Sequence, residues 1–160
     1  MIFQTKKNNT NLRNTNLYEY TNYENGMETK KLVRDDLIYP ELSYKVVGWA
    51  YGVFNQLGPG HSEKIYQRAY AEVVKVSPCK YSEQVYYPLT FQGKTIGKSY
   101  FDFLIDEKII VELKKNSIFS KTHIDQVLSY LKVSGLKLAI IINFTNEGVK
   151  FKRIININNS

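Results

Sequence analysis

Tyr100-Phe101-Asp102-Phe103-Leu104-Ile105, then Asp106-Glu107-Lys108, then Ile109-Ile110-Val111-Glu112-Leu113-Lys114, is the stretch that decides the fold. Two β-branched and aromatic runs flank a polar turn, which predicts a hairpin. Each run carries charge inside an otherwise apolar strand. A buried charge costs several kcal/mol unless it is paired or bound to metal. Asp102 and Glu112 are both carboxylates and cannot neutralise each other. A divalent cation between them would, and Lys114 could offset part of the cost. The plain alternative is a salt bridge from Lys114 to one of them at a half-buried sheet edge.

Strand parity makes the idea testable. Side chains alternate faces, so Glu112 and Lys114 share one face. With a loop centred on Glu107, Asp102 lies opposite Glu112 and Tyr100 opposite Lys114, all on one side. An even loop would set Asp102 against Val111. The expectation is an odd loop or a compensating bulge.

Working outward, Glu41 to Gln56 has helical spacing, with Leu42, Val46, Trp49, Ala50, Val53 and Leu57 apolar. Leu57-Gly58-Pro59-Gly60 breaks that helix. A second helix is expected from His61 to Val76, with Ile65, Ala69, Val73 and Val76 marking one face. Tyr66 and Tyr70 lie on the side of Glu63. Glu63 falls in the first turn, where a glutamate is also favoured for purely structural reasons and Ser62 could cap. Glu83 to Phe91 and Thr95 to Ile105 read as strands around Gln92-Gly93-Lys94. Ser120 to Ser134 reads as a helix stopped by Gly135. Lys137 to Phe144 and Val149 to Ile155 complete the chain. The order α-α-β-β-β-α-β-β predicts a three-layer α/β sandwich. In the later helix, Gln126 and Tyr130 are four apart and share a face. They could hold the Lys114 region, a water or a phosphate, or simply form a solvated face.

The bulk composition sets limits. With 160 residues, 43% hydrophobic and 14% aromatic, the chain can bury one sizeable core and is not globally disordered. The 13 tyrosines are core residues or stacking surfaces. A net charge of +7 favours polyanion partners, nucleic acid foremost. The single cysteine, Cys79, excludes an internal disulfide and a cysteine-based zinc cluster. No apolar run reaches the roughly 18 residues that span a bilayer, and no signal-peptide apolar region opens the chain. A cytoplasmic protein without membrane contact is expected. Residues 1–33, rich in Asn, Thr, Lys, Tyr and Glu without clear period, read as a poorly ordered N-terminal tail, and 34–160 as the domain. Met27 offers an alternative start, which an intact mass of the natively expressed protein would decide.

Gly60-His61-Ser62-Glu63-Lys64-Ile65-Tyr66 resembles the G-x-x-E-x-x-Y signature of the GxxExxY proteins, a group placed in the PD-(D/E)XK nuclease superfamily. The likeness extends from Asp36 to Ile155, through the Leu57–Gly60 turn, the Tyr100–Phe103 strand, Val111–Lys114 and Asn143-Phe144. Asp102 takes the place of the acidic residue of the second core strand, and Glu112-Leu113-Lys114 that of the E-x-K of the third. Glu63 matches the first-helix glutamate. Gln126 and Tyr130 resemble the Q-x-x-x-Y helix of RecB-type nucleases. Phe101 stands where a proline often precedes the strand aspartate.

The resemblance implies a restriction-endonuclease-like α-β-β-β-α-β core, here with an extra N-terminal helix and a C-terminal strand. It implies a nuclease hydrolysing phosphodiester bonds, of DNA before RNA, with Mg²⁺ or Mn²⁺. Asp102, Glu112 and the Leu113 carbonyl would hold the metal, and Glu63 directly or through water. Glu63, Asp102, Glu112, Lys114 and Gln126 would be the catalytic set, with Tyr130, His61 and Tyr66 positioning substrate. A homodimer or protein partner would help clasp DNA. The alternative is a non-cleaving nucleic-acid-binding module or accessory subunit on the same fold.

Overall fold

The computed structural model describes residues 37–156 and the backbone of two earlier strands, Leu17–Glu24 (β1) and Met27–Arg34 (β2). These two pair antiparallel, Leu17 opposite Arg34 through Glu24 opposite Met27. The stretch in which the sequence shows no clear period therefore contains a hairpin. The rest of the expected tail, residues 1–16, 25–26 and 35–36, lies outside the described residues, as do 157–160. The chain divides into a unit ending at Tyr44 and a main unit from Lys45.

The division falls within helix α1, Pro40–Leu57, followed by α2, Glu63–Lys75. Then come β3 (Tyr81–Phe91), β4 (Lys94–Ile105), β5 (Ile109–Lys114), α3 (Lys121–Ser134), β6 (Leu138–Phe144) and β7 (Val149–Ile155). From α1 onward this is the predicted order. The sheet runs β3-β4-β5-β6-β7, with β5 and β6 parallel and every other pair antiparallel. Helix α3 is the crossover that the parallel pair needs.

Strand β6 shows why the sandwich has three layers. All seven of its residues are buried. Ala139 and Ile141 join the core under α3, with Ile110, Val127 and Leu131. Phe144, of the other parity, stacks on Tyr66 of α2 with centroids 4.2 Å apart. A strand covered on both faces reads as a near-continuous apolar run, as Leu138 to Ile142 does, and the buried Asn143 that follows is satisfied by donating to the Ile118 carbonyl at 2.9 Å. Helices α1 and α2 are joined by the Tyr70 hydroxyl, which donates to the Val46 carbonyl at 2.9 Å, and by the Trp49–Tyr70 edge contact.

Two details of α2 differ from the sequence reading. The helix begins at Glu63, so His61 and Ser62 precede it. Ser62 holds the N-cap position without a side-chain cap bond. The buried face is Tyr66, Tyr70 and Val74, whereas Ile65 and Val76 are exposed. The inward face is thus the one that carries Glu63, offset by one residue from the expected stripe. Tyrosine can fill a core position when its hydroxyl finds a partner, and aliphatic counting overlooks this.

Candidate active site

The β4–β5 connection puts the acidic residues together. Phe103 pairs with Val111, Leu104 with Ile110 and Ile105 with Ile109, so the hairpin is centred on Glu107 with the odd loop that parity requires. Asp106 and Glu107 adopt positive φ, 50° and 56°, and the Lys108 N–H donates to the Ile105 carbonyl at 2.9 Å. The Asp106 carboxylate accepts from the Lys80 N–H at 2.8 Å, which ties this left-handed turn to the start of β3.

Backbone pairing stops at Phe103, and side chains take over. Asp102 Oδ2 accepts from the Leu113 N–H at 2.7 Å. The Asp102 N–H donates back to Glu112 Oε2 at 3.3 Å. Strand alternation also breaks here: Phe101, Asp102 and Phe103 are buried in succession. Phe101 packs on Tyr130 of α3, and Phe103 on Tyr70 of α2. Gln84, in the corresponding stretch of β3, has φ 51°. The even alternation assumed from sequence therefore ends at Asp102, where β4 parts from β5. Tyr100 meets Tyr86 ring to ring.

Helix α2 supplies the rest. Glu63, its first residue, accepts from the Lys115 N–H at 3.0 Å through Oε2. Lys114 Nζ lies 2.7 Å from Glu112 Oε1 and 3.5 Å from Glu63 Oε1. Four residues on from Glu63, Gln67 donates to Asp102 Oδ1 at 3.0 Å. Gln67 was not singled out in the sequence. The signal was its i+4 spacing from Glu63, which sets both on one helix face.

The electrostatics follow from crowding carboxylates at a half-dry edge. The Asp102 carboxyl is pushed up to about 7, first by burial and then by the Glu112 charge, against the Leu113 N–H and Lys114, which pull it down. Burial alone would lower the Lys114 ammonium, but Glu112, Glu63 and Asp102 outweigh it and hold its pKa above the ordinary value. Lys114 is therefore a firmly charged cation. A strongly perturbed carboxyl beside a cation and two more carboxylates is the electrostatic pattern of a functional site.

The other predicted site residues fall into three groups. Leu113, expected to contribute its carbonyl, joins the cluster through its N–H, which bonds Asp102. Tyr66 is buried, with its hydroxyl donating to the Gly58 carbonyl at 2.7 Å. His61 bonds the Leu57 carbonyl at 3.0 Å and lies edge-on to Tyr66. These two shape the Leu57–Gly60 turn. Gln126 donates to Ser99 Oγ, and Tyr130 packs against Tyr87 and Phe101. The α3 pair thus binds β4 before Asp102, and no bond joins it to the carboxylates among the described residues.

The set fits a hard divalent cation. Mg²⁺ takes only one or two carboxylates, with water and phosphate oxygens completing its octahedron. Asp102 and Glu112 are such a pair, and an adjacent dication would relieve the raised Asp102 carboxyl. Among the described residues no three His, Cys, Asp or Glu side chains form a closed metal cage.

The family model of the PD-(D/E)XK nuclease superfamily matches residues 40–154. The chain belongs to that superfamily, whose members are generally nucleases, and its fold agrees with the restriction-endonuclease-like core. Among solved structures, that of SSO0001 is similar at 19% identity and TM-score 0.48, over 57% of this chain. The chain spans about half the length of that protein, 48%. No curated protein matches the chain. No helix among the described residues is long and apolar enough to cross a membrane.

Proposed function

We propose that this chain is a nuclease hydrolysing phosphodiester bonds, of DNA before RNA, with Mg²⁺ or Mn²⁺, and that within its superfamily it is a GxxExxY protein. The observation that carries the activity is the meeting of Asp102, Glu112, Lys114 and Glu63 at the fork of β4 and β5. Asp102, Glu112 and the Leu113 carbonyl would hold the cation, with Glu63 alongside. When bound, the cation supplies charge neutralisation at the scissile phosphate and an acidified water.

The chain's own groups do the rest. Lys114 stays protonated among its carboxylates, so it serves as fixed charge and hydrogen-bond donor to the attacking water and the phosphate, and not as a general base. Gln67 and the Leu113 N–H fix the Asp102 carboxylate and spare it the search for a rotamer. Glu63 and Glu112 hold the Lys114 ammonium from both sides.

The test is single-turnover digestion of single- and double-stranded DNA and RNA with Mn²⁺ and with chelator. Asp102→Ala, Glu112→Ala and Lys114→Ala should each lower the rate by on the order of 10²-fold or more with the fold intact. Full activity in Asp102→Ala would refute the assignment. A second reading has one observation in its favour: Lys114 already satisfies Glu112 and Glu63 as an ion pair. A non-cleaving nucleic-acid-binding module would bind strands equally well with and without metal and release no product.

A further inference from the structure

The β3–β4 hairpin is longer than the sheet requires. Strand β4 spans Lys94–Ile105 but pairs with β5 only over Phe103–Ile105. The remainder, with its partners on β3, is a two-stranded arm. Helix α3 covers one face of it. The Tyr87 hydroxyl bonds Ser129 Oγ at 2.8 Å, Gln126 donates to Ser99 Oγ, and Phe101 packs on Tyr130.

The opposite face carries Tyr86 and Tyr100, direct cross-strand partners. Their rings meet edge to face at 5.8 Å, yet the residues remain 52% and 44% exposed. Lys98, opposite Pro88, follows on the same face. From Gln84 to Phe101 the arm holds two lysines and no acidic residue. This surface also runs into the candidate site. Tyr100 precedes Asp102 by two residues, and Tyr86 follows Gln84 by two. Gln84 and Asp102 both line a groove of ≈ 320 Å³, whose walls carry the basic Lys64 and Arg68 and also the acidic Glu72 and Glu83, with Gln67 beside Asp102.

We propose that the Tyr86–Tyr100 face is a stacking platform for the unpaired bases of a single nucleic-acid strand, which it leads along the groove to Asp102. The proposal rests on the nuclease reading above and names its substrate class. Every base has a π-face, so stacking on an aromatic ring is open to any unpaired base whatever its identity. A paired duplex buries those faces and offers the tyrosines only its backbone. Lys98 and Lys94 suit the phosphates between stacked bases.

The experiment is fluorescence anisotropy of a labelled oligothymidine of about 20 nucleotides and of a duplex of equal length, with chelator present so that nothing is cut. The Tyr86→Ala/Tyr100→Ala double variant should bind the single strand at least roughly tenfold more weakly, with duplex affinity within about threefold of wild type. Tyr86→Phe/Tyr100→Phe should keep wild-type affinity, because the ring and not the hydroxyl is used. Circular dichroism melting of each variant checks the fold. Unchanged single-strand affinity in the alanine variant overturns the platform, as does a phenylalanine variant as weak as the alanine one. A wild-type dimer in sedimentation that the alanine variant dissolves also overturns it, since a second copy would then cover the face. Cleavage lost everywhere with the platform's binding intact removes the nuclease reading alone.

Discussion

At the scale of single residues, Asp102 is the side chain on which the account turns. The residue is only 7% exposed, and its carboxyl lies among two further carboxylates, Glu112 and Glu63. Folding raises its pKa to about 7 from the 3.8 of an ordinary aspartate. Between those values the folded state binds more protons than the unfolded chain, so stability falls as pH rises from about 4 to about 7. Asp102→Asn removes the charge and keeps a group that can accept from the Leu113 N–H. In chelator, the variant should melt above wild type at pH 8, with the gap closing toward pH 4. A gap independent of pH in thermal melts would contradict the raised carboxyl. Gln67 acts through Asp102. Gln67→Leu should slow cleavage by about tenfold while leaving nucleic-acid affinity unchanged. Asp102, Glu112 and Lys114 could be found in the sequence because charge inside an apolar strand is conspicuous. Gln67 was overlooked, because its i+4 spacing from Glu63 is ordinary for a helix until its partner is known.

Among the elements, the β4–β5 hairpin sets the geometry. Its three-residue loop, centred on Glu107, brings Asp102 to Glu112. A residue inserted between Glu107 and Lys108 would slip the register and turn β5 side chains to the wrong face. That insertion should cost on the order of 3 kcal/mol or more in urea unfolding. A glycine inserted between Gln92 and Gly93, at the arm's tip, should cost less than about 1 kcal/mol. Equal costs would mean that the loop does not set the register. The loop parity was legible because a polar turn between apolar runs fixes its own centre. The break in alternation at Asp102 was not, because it depends on α2 and α3 pulling Phe103 and Phe101 to opposite faces. The inward face of α2 was missed for a related reason: its core residues, Tyr66 and Tyr70, are amphipathic, while Ile65 is left at the surface.

For the whole molecule, the element order from α1 to β7 and the sandwich followed from periodicity and from the apolar run Leu138 to Ile142 of β6. The N-terminal hairpin did not, since β1 and β2 lack the aliphatic alternation that marks a strand. Two large-scale consequences remain open to test. With a net charge of +7, affinity for nucleic acid should fall steeply and log-linearly with salt, and a flat dependence would argue against phosphate contacts. The central claim is that Asp102 and Glu112 together hold a divalent cation, and titration calorimetry with Mn²⁺ addresses it most directly. The account predicts saturable binding near one equivalent in wild type, lost or greatly weakened in Glu112→Gln and Asp102→Asn. No binding in wild type, or undiminished binding in both variants, would contradict it.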